Sequence, residues 1–203
     1  MWTRRSFFLS ALGLPLLPPL PLVEAESRWT RKLVRAARKQ IGVTTGYNPA
    51  YVALAYPGGD VARETGVCTD VVIRAYRDAF KIDLQVLVHD DMTAAFASYP
   101  KTWGLARADR NIDHRRVPNL ERYFERQGYE RGPPITRDDW QAGDLMTMRL
   151  GGRLPHIAIF SGDDPVMGTA MFIHNIGGGT REDALYADYN TPRWFRFEPP
   201  VAT

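Results

Sequence analysis

The feature that most restricts what this chain can fold into is a run of short apolar segments in its last third. Asp144-Leu145-Met146-Thr147-Met148-Arg149-Leu150 reads as one strand, and Pro155-His156-Ile157-Ala158-Ile159-Phe160-Ser161 as a second. Ala170-Met171-Phe172-Ile173-His174-Asn175 is a third, and Arg193 to Phe197 is a candidate fourth. Gly151-Gly152 and Gly162-Asp163-Asp164 turn the chain between the first three. Close strands with short turns predict an antiparallel sheet packed against whatever helices precede it, an α+β arrangement. Ile176-Gly177-Gly178-Gly179 ends the third strand, and no helix-opening pattern follows it, so it is not a phosphate-cradling loop.

The helices come first. Ser27 can cap a helix from Arg28 to Ile41 whose buried face is Trp29, Leu33, Ala36, Ala37 and Ile41, with Gly42 ending it. Thr44 to Tyr51 reads as a turn entering a short helix from Ala50 to Ala55. A central helix opens near Cys68, its face traced by Val71, Val72, Ala75, Tyr76 and Phe80. Asp70 and Arg74, four apart on it, can pair with each other. After Leu84 to Val88, Asp90 or Asp91 can cap a helix to about Ser98, stopped by Tyr99-Pro100. Residues Trp103 to Arg116 have no clear periodicity. Their polar cluster Asn111-Ile112-Asp113-His114-Arg115-Arg116 reads as a solvated loop with internal ion pairs, the alternative being a grip on an anionic substrate group. Pro118 and Asn119 introduce a last helix, Leu120 to Gln127, closed by Gly128.

The first residues read as an export signal. Thr3-Arg4-Arg5-Ser6-Phe7-Phe8-Leu9 is a charged start followed by an apolar run through Val23, and Val23-Glu24-Ala25 offers cleavage after Ala25. The paired arginines are similar to twin-arginine signals. Pro15, Pro18, Pro19 and Pro21 make the run poor material for a bilayer helix, so no integral span is expected after cleavage. The expectation is a signal peptide at 1–25, a single domain at 26–203, and a periplasmic or otherwise exported location. With 44% hydrophobic and 24% charged residues, that domain is an ordinary globular one. The net charge of +3 is small and its cations are scattered along the sequence, so nucleic acid is not an expected partner.

One cysteine in 203 residues excludes an intramolecular disulfide framework. Cys68 falls in or next to the first turn of its helix, where unpaired N–H groups and the positive dipole end favour a thiolate. Alone it favours the reading of a small buried hydrophobe. Thiol catalysis also needs a base in reach of the sulfur and a polar group holding the base's other nitrogen. If the second and third strands pair, His156 and His174 lie near one end of adjacent strands and supply both. Zinc is the competing use, but no Cys-x-x-Cys or His-x-x-x-His pair is present, and neither metal nor cofactor is expected. Tyr47 and Tyr51 can line a cleft beside Cys68, although packing is the commoner role for such tyrosines. His114, Arg115 and Asn175 complete the candidate substrate-binding residues.

At these residues the chain resembles two families. Gly143-Asp144-Leu145, His156-Ile157-Ala158-Ile159-Phe160 and Phe172-Ile173-His174 are similar to the second half of NlpC-type, papain-like cysteine peptidases, which cleave peptidoglycan stem peptides. Tyr56-Pro57-Gly58-Gly59-Asp60, Gly66-Val67-Cys68-Thr69-Asp70-Val71-Val72-Ile73-Arg74 and Asn111 to Asn119 resemble the exported bacterial family called domain of unknown function 1287. The second resemblance covers most of residues 30 to 198. Together they imply a papain-like (NlpC-type) fold and an exported thiol hydrolase with Cys68 as nucleophile, His156 as base and His174 as orienting residue. They imply peptidoglycan or another cell-envelope peptide as partner. Two departures stand out: residues 81 to 140 form a long insertion, and Cys68-Thr69-Asp70 replaces Asp-Cys-Ser. An idle cell-wall binding protein on the same scaffold, and an acyltransferase sharing the thioester step, are the alternatives.

Overall fold

The expected antiparallel sheet is present and has six strands. The computed structural model describes residues 28–132, 139–185 and 192–199; the stretch expected to be an export signal and the expected cap Ser27 lie outside them. The strands are β3 (Glu130–Arg131), β4 (Leu145–Leu150), β5 (Leu154–Asp163), β6 (Ala170–Asn175), β7 (Thr180–Asp183) and β8 (Arg193–Phe195), in the spatial order β3-β8-β4-β5-β6-β7. All neighbours run antiparallel. A separate parallel pair joins β1 (Gly46–Tyr47) to β2 (Thr65–Gly66). Alternate side chains of the large sheet sort into two cores. Leu145, Ile157, Ile159, Ile173 and Phe195 pack on the helices, while Met146, Met148, Ala158, Phe160, Phe172 and Trp194 form a second cluster with Trp140 and Leu185. Burial on both faces is why these strands read as nearly unbroken apolar runs.

Helix α1 (Arg28–Arg38) ends before Ile41; the chain turns at 39–43 with Gly42 at φ +78°, leaving Ile41 exposed. Its outward residues Arg28, Arg31, Lys32, Arg35 and Arg38 are all cationic, so the cations that are scattered in sequence gather into a stripe here. Helix α3 (Leu84–Ala94) is one element capped by Asp83, whose carboxylate accepts from Gln85 N–H. Asp90 and Asp91 therefore fall inside it, and a 3₁₀ turn at Phe96–Ser98 follows. Helix α4 (Val117–Arg126) begins earlier than expected, with Pro118 in its first turn. Residues 50–55 are not helical. Side chains from elsewhere hold their backbone: Asn111 Oδ1 accepts from Leu54 N–H, Gln85 Nε2 donates to the Ala55 carbonyl, and Arg115 donates to that of Ala50.

Helix α2 (Cys68–Phe80) is the centre of the molecule, and every residue from Cys68 to Tyr76 is buried. A helix without a solvated face cannot carry unpaired charge. Asp70 and Arg74 do not pair with each other; each takes a partner from another segment. Arg74 binds the Asp60 carboxylate through Nε and Nη2, donates to the carbonyls of Val61, Ala62 and Thr65, and reaches Thr44 Oγ1. The loop that leads into Cys68 is thus cast around one guanidinium. Arg115 binds Asp70 through Nε and Nη2, both at 2.9 Å, and donates to the carbonyls of Asn48 and Ala50. The 3₁₀ turn Asp113–Arg115 that carries it is buried, so the polar cluster at 111–116 is not the solvated loop its composition suggested. Its six-residue sequence gave no sign of the partner, which lies 45 residues upstream.

Replacing Arg74 by Met would leave the Asp60 carboxylate to the looser Arg63 contact at 3.3 Å and strand three carbonyls, so urea unfolding is expected to show a loss of about 3 kcal/mol. Arg38→Ala breaks the exposed Arg38–Glu182 pair and is expected to cost about 0–1 kcal/mol in the same assay.

Candidate functional site

Val67, the N-cap of α2, is extended, and its N–H donates to Asp70 Oδ2 at 2.7 Å. Holding the chain entry this way places Cys68 at the first helical position. The sulfur is approached by the backbone N–H groups of Cys68, Thr69 and Ile157, which favour a thiolate. Burial outweighs them, and the Asp70 charge adds to it, pushing the thiol up to about 11. Near neutral pH Cys68 is therefore a thiol. It forms part of the floor of a cleft of about 170 Å³ whose lining includes Tyr47, Val67, Trp103, Arg116 and Pro155.

The two histidines meet. His156 Nε2 lies 3.1 Å from His174 Nδ1, and His174 Nε2 lies 2.6 Å from Asp183 Oδ1. Asp183 also takes Arg181 Nε at 2.7 Å. The partners assign the protons. A carboxylate only accepts, so His174 Nε2 carries the hydrogen and its Nδ1 is a lone pair. His156 Nε2 must then donate to it, which leaves His156 Nδ1 as a base. Burial holds both rings neutral: it pushes His156 down to about 3, and the neighbouring His174, which cannot share a second positive charge, and the Arg181 cation oppose protonation further. His174 is lowered by burial against the opposing pull of Asp183.

Register shows how the cysteine and the relay share one end of β5. The β5–β6 ladder ends at Ile159–Ile173, and beyond it the Ile157 N–H is turned to the Cys68 sulfur. His156 and His174 stand on the parity of Phe160 and Phe172, on the sheet face of the second cluster, whereas Cys68 belongs to the first. Among the described residues no hydrogen bond joins the sulfur to either histidine.

The remaining candidates divide. Tyr47 lines the cleft, half-buried, its hydroxyl held protonated by burial, by the Cys68 sulfur once ionised and by the Asp70 carboxylate. Tyr51 does not; it donates to Asp109, accepts from Asn111, and lines a different cleft of about 660 Å³ with His89 and Arg110. Arg115 borders the Cys68 cleft with its fork committed to Asp70. His114 is buried and pushed down to about 4 by desolvation, and its Nδ1 has no hydrogen-bond partner among the described residues. Asn175 is buried and donates to the carbonyls of Gly46 and Gly66, tying the end of β6 to both short strands before Cys68. Asp183 and Trp103 escaped the reading of the sequence, and Arg116 entered it only as part of the cluster at 111–116, whose alternative reading was a grip on an anionic group. Asp183 sits in Thr180-Arg181-Glu182-Asp183, a charged edge strand with no apolar alternation to mark it. Among the described residues no group of three His, Cys, Asp or Glu side chains is placed to hold a metal ion.

Two comparisons bear on what the chain is. It is 45% identical over 192 residues to "Uncharacterized protein YijF" of Escherichia coli (strain K12), a match spanning 95% of this chain and 93% of that protein. The family profile described as "Domain of unknown function (DUF1287)" matches residues 34–197, which takes in Cys68, the histidine relay and both arginine clamps. The chain belongs to the DUF1287 family.

Proposed function

We propose that the protein is an exported thiol hydrolase of papain-like, NlpC-type architecture that cleaves an amide bond in peptidoglycan or another cell-envelope peptide. The observation that carries this reading is the chain Asp183–His174–His156, whose proton assignment leaves a basic nitrogen at the end of β5 where Cys68 enters. His156 Nδ1 takes the thiol proton as the sulfur attacks the carbonyl carbon, with the Cys68 N–H donating to the forming oxyanion. Collapse of the tetrahedral adduct breaks the C–N bond, and the amine leaves with the proton from His156. Water, deprotonated by the same nitrogen, then hydrolyses the thioester and returns the thiol. An amine in place of water would make the reaction an acyl transfer. Because thiol and imidazole are both neutral at rest, the mechanism is general-base attack rather than a preformed ion pair. The base must close on the sulfur when substrate binds.

A second reading, a cell-wall binding protein with an idle relay, is favoured by the raised thiol and the missing sulfur–histidine hydrogen bond. Muropeptide digests separate the two. Wild type is expected to yield products absent with Cys68→Ala, and identical profiles would overturn the hydrolase reading.

The resting state has its own signature. With the thiol at about 11, iodoacetamide labelling of Cys68 is expected to rise about tenfold per pH unit from 7 to 10. A plateau beginning in weak acid would instead reveal a thiolate–imidazolium pair.

Asp183→Asn removes the group that fixes both tautomers. It is expected to lower turnover by about 10²-fold or more. Thermal unfolding should change little, since the Asp183 side chain is 41% exposed. Unchanged turnover would remove Asp183 from the relay.

A further inference from the structure

The Cys68 cleft is bordered by two arginines, and only one of them is spoken for. Arg115 spends its Nε and Nη2 on Asp70 and its remaining reach on two backbone carbonyls. Arg116 has a single polar contact among the described residues, Nη1 to Asp113 Oδ1 at 3.3 Å. Its guanidinium carbon lies 4.0 Å from the centroid of the Trp103 ring, so the cation is stacked rather than hydrated. A guanidinium carries five N–H donors.

Its acidic neighbours are poor counter-ions. Asp113 is itself raised by burial, already accepts from the Asp109 N–H through Oδ2, and shares Oδ1 with Asn119 Nδ2. Asp109 accepts from Asn111 N–H through one oxygen and from the Tyr51 hydroxyl through the other. Desolvation is the largest influence on Arg116 and lowers it against the pull of Asp113, Asp109 and Tyr51. Apart from Tyr47, the rest of the lining, Pro49, Val67, Ile112, Val117, Pro118 and Pro155, is apolar. A cation stacked on an indole, in a small apolar cleft beside a thiol, has donors that match the two oxygens of a carboxylate.

We propose that Arg116 and Trp103 form a carboxylate-binding subsite in the Cys68 cleft, and that the peptide acted on carries an acidic group or a free C-terminus close to the scissile amide. The word "scissile" rests on the hydrolase reading; the binding claim does not. The apolar walls and small volume fit a short side chain beside that carboxylate, as in an alanine residue.

The test therefore uses Cys68→Ala protein, in which turnover plays no part. N-acetyl-alanyl-alanine, in L and D forms, is titrated by NMR against the same peptides as carboxamides. The carboxylate is expected to bind about tenfold or more tighter, as loss of a charged hydrogen-bonding partner implies. Arg116→Gln is expected to bring the two within about twofold, and Arg116→Lys, a point charge without the fork, to fall between. Equal affinity for carboxylate and carboxamide, no binding of either, or a preference that survives both Arg116 variants would overturn the proposal. A preference that stands while wild-type digests show no products would overturn the hydrolase reading and leave the subsite in place.

Discussion

Charge buried on the central helix is the constraint from which the other features descend. Asp70 and Arg74 lie on α2 where no solvent reaches, so each must be answered by an opposite charge or lose several kcal/mol. The answers come from Arg115 and Asp60. Satisfying them brings three segments remote in sequence to the start of one helix: the loop before Cys68, the extended stretch at 48–50 and the turn at 113–115. Those segments are the walls of the cleft. A purely apolar helix would pack on the sheet as well and would leave the loops unplaced.

The same burial sets the protonation states. It holds Cys68 as a thiol and both histidines as neutral imidazoles, against three backbone N–H groups on one side and the Asp183 carboxylate on the other. Thiol and imidazoles rest neutral at one end of β5, on opposite faces of the sheet, so no preformed ion pair is stored there. The carboxylate at the far end gives the relay its direction. Without it, the His174 hydrogen could move to Nδ1, and His156 would then hold its own hydrogen on Nδ1.

What the sequence disclosed followed from periodicity, and what it withheld followed from pairing. The strands around Ile157 and Ile173 were legible because both faces are covered and the residues are apolar throughout. The cysteine at a helix start and the two histidines at one end of neighbouring strands were legible from spacing and turns. The Arg115–Asp70 pair was not, because nothing local distinguishes an arginine bound for a buried carboxylate from one bound for water. Asp183 was hidden in the same way: its role appears only when β7 is laid beside β6, opposite Phe172. The six-residue stretch at 50–55 looked helical because its alanines favour a helix, yet long-range side-chain bonds to its backbone prevail.

The segment between α2 and α4 leaves α2 where Arg77 holds Asp83 and comes back to it where Thr69 Oγ1 donates to the Arg115 carbonyl. Both ends are moored to one helix, and Leu84 and Val88 pack into the main core, so the intervening residues form a panel fixed against α2. Trp103, Ile112 and Arg116 belong to that panel or its hinge, whereas Cys68, His156 and His174 do not. Substitutions at Trp103, Ile112 or Arg116 therefore change what the cleft admits while leaving the strands that carry His156 and His174 as they are.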